Sequence, residues 1–86
     1  MEEFPKLKDK QVALLRAELK TGYVLDEKFT TAVTNEQKVF TVFNNVDESL
    51  KFAKLTILEK PDVEFVIYGE GEKVLFYLSS NKIESY

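Results

Sequence analysis

The chain contains no histidine, no cysteine and no tryptophan among its 86 residues. Histidine is the commonest general base near neutral pH and the commonest metal ligand, and cysteine thiolates are the other usual ligands of structural zinc. We therefore predict that the protein is not an enzyme and that it holds neither a metal ion nor a cofactor. The absence of cysteine also fits a reducing compartment, so we expect a cytoplasmic location.

Arginine is nearly absent as well, because Arg16 is the only one. The 12 basic and 15 acidic residues give a formal net charge of −3, so this is an acidic protein. Neither a basic stripe nor a cluster of arginines is present, which disfavours nucleic acid as a partner. No apolar run approaches the ~18 residues of a membrane-spanning helix, so we expect no membrane partner.

Carboxylates remain as candidates for acid–base chemistry, but their positions argue against it. Glu70 and Glu72 flank Gly71 in a turn, and Asp62 and Glu64 stand two apart at the start of a strand. Acid–base catalysis by a carboxyl group needs a cleft that removes water from one of the pair, and a turn offers the opposite environment. These residues are better explained as solubilising charges.

Two patterns overlap between residues 9 and 20. Val12, Leu15 and Leu19 recur at helical spacing after Asp9, a suitable N-cap, and most residues here are strong helix formers. Alternation across the same residues is the competing strand pattern. We favour the helix and keep the strand as the alternative.

The remainder of the chain predicts hairpin, helix and hairpin. The first hairpin comprises residues 29–34 and 38–43, the helix covers 47–60 with Asp47 as N-cap, and the second hairpin covers 61–78. The predicted fold is α+β, with a four-stranded, mostly antiparallel sheet made of two β-hairpins joined by a helix. The order is α-β-β-α-β-β, with the helices packed mainly on one face. We expect a single small domain over residues 1–86, whose ends at 1–8 and 80–86 are free to be flexible.

The second hairpin carries the functional hypothesis. A loop centred on Glu70 and Gly71 sets Val63 opposite Leu78, Phe65 opposite Phe76 and Ile67 opposite Val74, which makes one face wholly apolar. The other face is half apolar, where a solvated face should be polar. The residues predicted to form a binding surface on this second face are Val66, Tyr68, Lys73, Leu75 and Tyr77.

An exposed apolar face that contains tyrosine is typical of a protein interface. We therefore predict a non-catalytic protein that binds another protein, or itself as a homodimer, through this face. Two alternatives remain. The face could stack single-stranded nucleic acid, as sheet-based RNA readers do, or a small molecule could bind between sheet and helix. The sequence leaves open whether the first helix covers the face.

Overall fold

The computed structural model describes residues 1–86 and contains one α-helix and six strands in one antiparallel sheet. In chain order the elements are β1 (Val12–Glu18), β2 (Val24–Leu25), β3 (Phe40–Phe43), α1 (Val46–Glu59), β4 (Val63–Gly69), a 3₁₀ turn (Glu70–Glu72), β5 (Lys73–Leu78) and β6 (Ile83–Ser85). The strand order across the sheet is β2-β1-β4-β5-β6. β3 pairs with the first half of β1, on the same side of β1 on which β2 pairs with its second half. The α+β class and the antiparallel sheet are confirmed. The four strands and the order α-β-β-α-β-β are wrong.

The predicted helix over residues 9–20 is a strand, β1, and it is the central strand of the sheet. On one side β1 pairs with β4, with Leu14 opposite Ile67, and on the other side it pairs with both β2 and β3. Val12, Ala13 and Leu14 are all buried, so both faces of this strand are covered at that end. Helix propensity is worth only tenths of a kcal/mol per residue, so pairing on two sides overrides it.

Only half of the predicted first hairpin is a strand. Residues 40–43 form β3, but their partner is β1, and residues 29–34 lie in a loop that touches the sheet through a single bridge between Leu25 and Thr31. Side chains replace the missing ladder in this loop. The side-chain oxygen of Gln37, Oε1, accepts hydrogen bonds from the backbone amides of Val33 and Thr34, at 2.6 and 2.9 Å. Such local side-chain bonds compete with strand pairing.

The predicted second helix is confirmed as α1, one residue earlier at each end. Its N-cap is Asn45, whose side chain accepts a hydrogen bond from the amide of Glu48, and not Asp47 as expected. Ala53 is fully buried and Phe52 contacts Phe65 of β4 with 6.2 Å between ring centroids, so α1 covers one face of the sheet. At 14 residues, α1 is too short to cross a bilayer, and the structure has no longer helix.

The second hairpin is confirmed, but its register differs from the expected one by two residues. Phe65 lies opposite Leu78 and Ile67 opposite Phe76. A bulge follows, so that Tyr68 lies opposite Val74 and Leu75 is the extra residue. The turn needs positive φ at Gly71 (75°) and Glu72 (61°). Because a shift of two residues preserves which face a side chain occupies, Phe65, Ile67 and Leu78 still reach the core, at 0% exposure.

Both ends of the chain lie against the sheet. Residues 83–85 form β6, which pairs with β5 through Leu78 opposite Ile83. Residues 1–8, called the N-terminal arm from here on, contain no strand, but Leu7 is buried and Phe4 is half-buried. The helix thus occupies one face of the sheet, and the arm is the part of the chain that meets the other.

Candidate protein-binding face

The face of the sheet opposite α1 is called the reverse face. Strand alternation and the observed pairing place on it Ala13, Leu15, Ala17, Val24, Phe40, Val42, Glu64, Val66, Tyr68, Val74, Tyr77 and Glu84. The predicted helix 9–20 does not cover this face, because those residues are part of the sheet itself. The two ends of the reverse face are covered to different extents.

The N-terminal arm covers one end of the reverse face. The Phe4 ring packs edge-on against Phe40, with 5.2 Å between centroids, and against Tyr68, with 5.7 Å between centroids. Ala13 lies opposite Tyr68 in the sheet and is fully buried. Edge-to-face pairs of this kind stabilise by about 0.5–1.5 kcal/mol beyond the area they bury. Tyr68, one of the predicted binding residues, therefore contacts the protein's own arm.

Glu2 attaches the same arm to the edge of the sheet. One carboxylate oxygen, Oε1, accepts hydrogen bonds from the backbone amides of Val39 at 2.9 Å and Phe40 at 3.1 Å. The other oxygen lies 3.9 Å from the Lys38 ammonium group. Hydrogen bonds to an ionised acceptor are the stronger kind, so the arm is held by Glu2 at the edge and by Phe4 over the face.

The other end of the reverse face is only partly covered, and the aromatic contacts of the arm do not extend to it. Leu15 lies opposite Val66, and Val66 lies opposite Tyr77, so these three side chains form a row across β1, β4 and β5. Ala17 continues the surface toward Val24 of β2. All five residues are half-buried. Leu15, Ala17, Val66 and Tyr77 are called the open patch.

Polar groups border the open patch on the Tyr77 side. The Tyr77 hydroxyl donates a hydrogen bond to Glu64 Oε1 at 2.5 Å, and this bond raises the pKa of Tyr77 because it favours the protonated phenol. Lys82 Nζ lies 5.7 Å from the centroid of the Tyr77 ring and 3.3 Å from Glu84 Oε1. The patch is therefore an apolar row bordered by two carboxylates and one ammonium group.

The structure brings together three of the five predicted binding residues. Val66, Tyr68 and Tyr77 share the reverse face, although Tyr68 lies at the end where the arm packs. Leu75 does not join them, because the bulge turns it to the helix side, where it packs against the core. Lys73 lies opposite Gly69 beside the turn and is exposed. The bulge, and not the shift of two residues, is the physical reason that these last two separate from the surface.

Leu15 and Ala17 belong to the open patch but were not predicted. The signal that could have found them is the alternation of the strand pattern in residues 13–19, which puts Ala13, Leu15 and Ala17 on one face. Their assignment to a helix separated them from the hairpin that carries Val66 and Tyr77.

Arg16 is a second feature that the sequence did not flag. Arg16 lies on the helix side of β1 and is only 2% exposed. Its guanidinium carbon lies 5.6 Å from the centroid of the Phe29 ring. Nη2 donates to the Thr41 hydroxyl at 2.6 Å, whereas Nε and Nη1 have no hydrogen-bond partner. Burial lowers the pKa of Arg16, and the charges of Glu27 and Asp26 oppose that shift.

Asp26 is the carboxylate with the most hydrogen bonds, and all of them serve the loop. It accepts from the amides of Lys28 and Thr30, at 2.9 and 3.0 Å, and from the side-chain nitrogen of Gln37 at 2.8 Å. These bonds, the one from Gln37 first, lower the pKa of Asp26. A carboxylate held ionised in this way is a poor proton acceptor for a substrate.

The fold and the site define a class: a single helix on an antiparallel sheet, with part of the opposite sheet face only half-buried. Comparison of the chain with protein-family models, with curated proteins and with solved structures finds no match.

Proposed function

We propose that the chain acts without catalysis, as a protein-binding module whose contact surface is the open patch. The observation that supports this proposal is the row formed by Leu15, Val66 and Tyr77, which is apolar, spans three strands and is only partly covered. Tyrosine contributes a large apolar body with a polar tip and is enriched where protein interfaces are strongest. A cytoplasmic location, expected from the absence of cysteine, is part of the same proposal.

The charges around the patch favour a protein over a nucleic acid as the partner. Glu64 and Glu84 border the patch and would repel phosphates, and the nearby cation, Lys82, already forms an ion pair with Glu84. Single-stranded nucleic acid binding depends on a positively charged groove beside the stacking rings. Nucleic acid binding on the sheet face is therefore kept as an outcome of the test.

The packing between sheet and helix gives little support to a small-molecule site there. Phe65, Ile67 and Ala53 are fully buried in that layer. One groove, with a volume of about 400 Å³, lies at the start of α1, between Val46, Val12 and Leu75. Two polar side chains that could orient a ligand do not face that layer, since Tyr23 is 61% exposed and Glu64 is on the reverse face.

The test compares two lysine substitutions that add the same charge to opposite sides of the molecule. Val66→Lys places an ammonium group in the middle of the open patch, and Leu58→Lys, at a residue 81% exposed on α1, is the matched control. Both variants are first checked for the wild-type circular dichroism spectrum. Each is then immobilised and exposed to a lysate of cells that carry the gene.

The proposal expects a protein retained in comparable molar amount by the wild-type chain and by Leu58→Lys, but not by Val66→Lys. Retention of the same proteins by all three chains would contradict it. Light scattering at rising concentration tests the homodimer version, which a wild-type chain that stays monomeric at several hundred micromolar would remove. Binding of a single-stranded RNA oligonucleotide at low salt, abolished by Tyr77→Ala, would instead establish the nucleic-acid alternative.

A further inference from the structure

The outer edge of β3 has backbone groups that point away from the sheet. The direction follows from β1, where the Glu18 amide donates to Tyr23 on the β2 side and the Leu19 amide donates to Asp62 on the β4 side. Because successive residues of a strand point their amides to opposite sides, the even-numbered residues of β1 face β3. Leu14 is one of these, so its partner Thr41 points inward, and its neighbours Phe40 and Val42 point outward.

The sequence of β3 does nothing to block this edge. Phe-Thr-Val-Phe contains no charge and no proline, and the pairing with β1 is regular over all four residues. Val42 is 42% exposed and neither its amide nor its carbonyl takes part in a hydrogen bond outside the strands. Natural edge strands are usually protected by short length, lysine, proline or a bulge, because a bare edge is a template for another strand, and β3 has only its length of four residues.

Glu2 is the one group that protects this edge. Its carboxylate accepts the outward amide of Phe40, together with the amide of Val39. An incoming strand would place a backbone carbonyl at the position that Glu2 Oε1 occupies. The arm therefore competes directly with a pairing strand for the Phe40 amide, while the groups of Val42 stay free.

We propose that the β3 edge pairs with the β3 edge of a second copy of this chain, and that Glu2 of the arm limits this pairing. This interface is separate from the open patch and goes beyond the proposed function. We name a second copy as the partner because the sequence of β3 is complementary to itself when two copies pair antiparallel. If the outward residues Phe40 and Val42 exchange hydrogen bonds across a two-fold axis, Thr41 lies on that axis.

The resulting register is self-complementary. Phe40 of each copy lies opposite Val42 of the other copy. Pairs of an aromatic and a β-branched residue of this kind stabilise antiparallel sheets. Thr41 lies opposite Thr41 of the second copy, and Lys38 lies opposite an uncharged residue, Asn44. No like charges oppose one another in this arrangement, so only the arm stands against it.

The first test removes the protecting carboxylate. Sedimentation velocity over a range of concentrations is expected to show that Glu2→Ala dimerises about tenfold more tightly than the wild-type chain, since two charge-assisted hydrogen bonds no longer compete. Lys6→Ala, an exposed residue of the same arm, is the control and is expected to match the wild type. A Glu2→Ala chain that stays monomeric at several hundred micromolar would overturn the proposal.

A second pair of variants locates the interface. In the Glu2→Ala background, Val42→Pro removes the outward amide and leaves the bonds to β1 intact, whereas Val42→Thr keeps the amide and the branched side chain. The proposal expects Val42→Pro to be monomeric and Val42→Thr to dimerise. Equal dimerisation of the two, or dimerisation that Val66→Lys in the open patch abolishes, would overturn it.

A covalent test covers the case in which Val42→Pro does not fold. The chain has no cysteine, so Thr41→Cys in the Glu2→Ala background places one thiol on the two-fold axis. Residues opposed in this way have Cα atoms about 4.5 Å apart, within reach of a disulfide. Air oxidation is expected to give a disulfide-linked dimer for Thr41→Cys but not for Phe43→Cys. Equal yields from the two would overturn the register.

Discussion

The two faces of the same sheet differ in how completely they are covered. On the helix side, Leu14, Phe65 and Ile67 are fully buried, while their neighbours Leu15 and Val66 on the reverse face are only half-buried. Strand alternation therefore separates two kinds of apolar residue that look alike in sequence. The helix-side residues stabilise the fold, whereas Leu15 and Val66 keep part of their surface in contact with solvent.

Apolar residues on the partly covered reverse face are expected in a chain of this size. A small chain buries a limited share of its surface, so it cannot cover both faces of a five-strand-wide sheet with one helix. The arm covers the end near Tyr68, and the end near Tyr77 stays open. Substitutions on one face at a time show whether the two faces contribute to the free energy of unfolding as differently as their burial indicates.

The largest effect is expected on the helix side. Phe65→Ala removes a fully buried ring that contacts Phe52 of α1, and it should lower the free energy of unfolding by about 3–5 kcal/mol. Val66→Ala, the next residue on the other face, should cost about 1 kcal/mol or less because the side chain is already partly solvated. Urea denaturation followed by circular dichroism measures both. Equal losses would mean that the reverse face is covered in solution.

Arg16 is the charged exception on the helix side, and removing it should make that face more stable. Arg16→Met keeps the packing volume and removes two guanidinium nitrogens that lack partners, so we expect the free energy of unfolding to rise by about 1–2 kcal/mol. The same denaturation experiment measures it. Arg16→Ala is the comparison and should destabilise, because it leaves a cavity next to Phe29. A clear loss for Arg16→Met would show that the guanidinium group has partners in solution.

Sequence patterns predicted the parts of the fold that local chemistry decides. The helix after Asn45 and the hairpin around Gly71 both carry their own start and stop signals. The core residues Phe65, Ile67 and Leu78 were correct even though the register was not, because a shift of two residues leaves each side chain on its face. Val74 and Leu75 were exchanged between faces, since nothing in the sequence marked the bulge.

Long-range pairing decided the parts that the sequence could not predict. The stretch around Leu14 has helix-forming residues and becomes a strand only because β3 and β4 flank it. The pairing of Val12 with Phe43 joins residues far apart in the chain, so no local pattern could specify it. The candidate site shared this limit, because half of the open patch lies on that misassigned strand.

Phe4→Ala tests the boundary between the covered and the open end of the reverse face. Losing the edge-on contacts with Phe40 and Tyr68 should lower the free energy of unfolding by about 1 kcal/mol. The Val39 and Phe40 amides should also exchange hydrogen faster, because Glu2 is no longer held in place. Native-state hydrogen exchange measures this, with Lys6→Ala as the control. Unchanged exchange would show that Glu2 holds the edge without help from the ring.

The smallest effect concerns the Tyr77 hydroxyl at the border of the open patch. Tyr77→Phe should lower the free energy of unfolding by about 0.5 kcal/mol at neutral pH, since the hydroxyl donates to a partly solvated Glu64. The raised pKa of Tyr77 fixes the sign of the pH dependence. The bond stabilises the protonated phenol, so its contribution is complete below the ordinary tyrosine pKa of about 10 and is lost as the pH rises through the raised value.

Spectrophotometric titration of the tyrosines separates this hydrogen bond from the general charge of the border. Glu64→Gln should lower the Tyr77 pKa toward its ordinary value, because the hydrogen bond to Glu64 is the main cause of the shift. Glu84→Gln should lower it less, because Glu84 acts on Tyr77 only through its charge. If the two substitutions shift the titration equally, the hydroxyl is not bonded to Glu64 in solution. The Tyr77 side of the patch would then be free to donate its hydrogen bond to a partner.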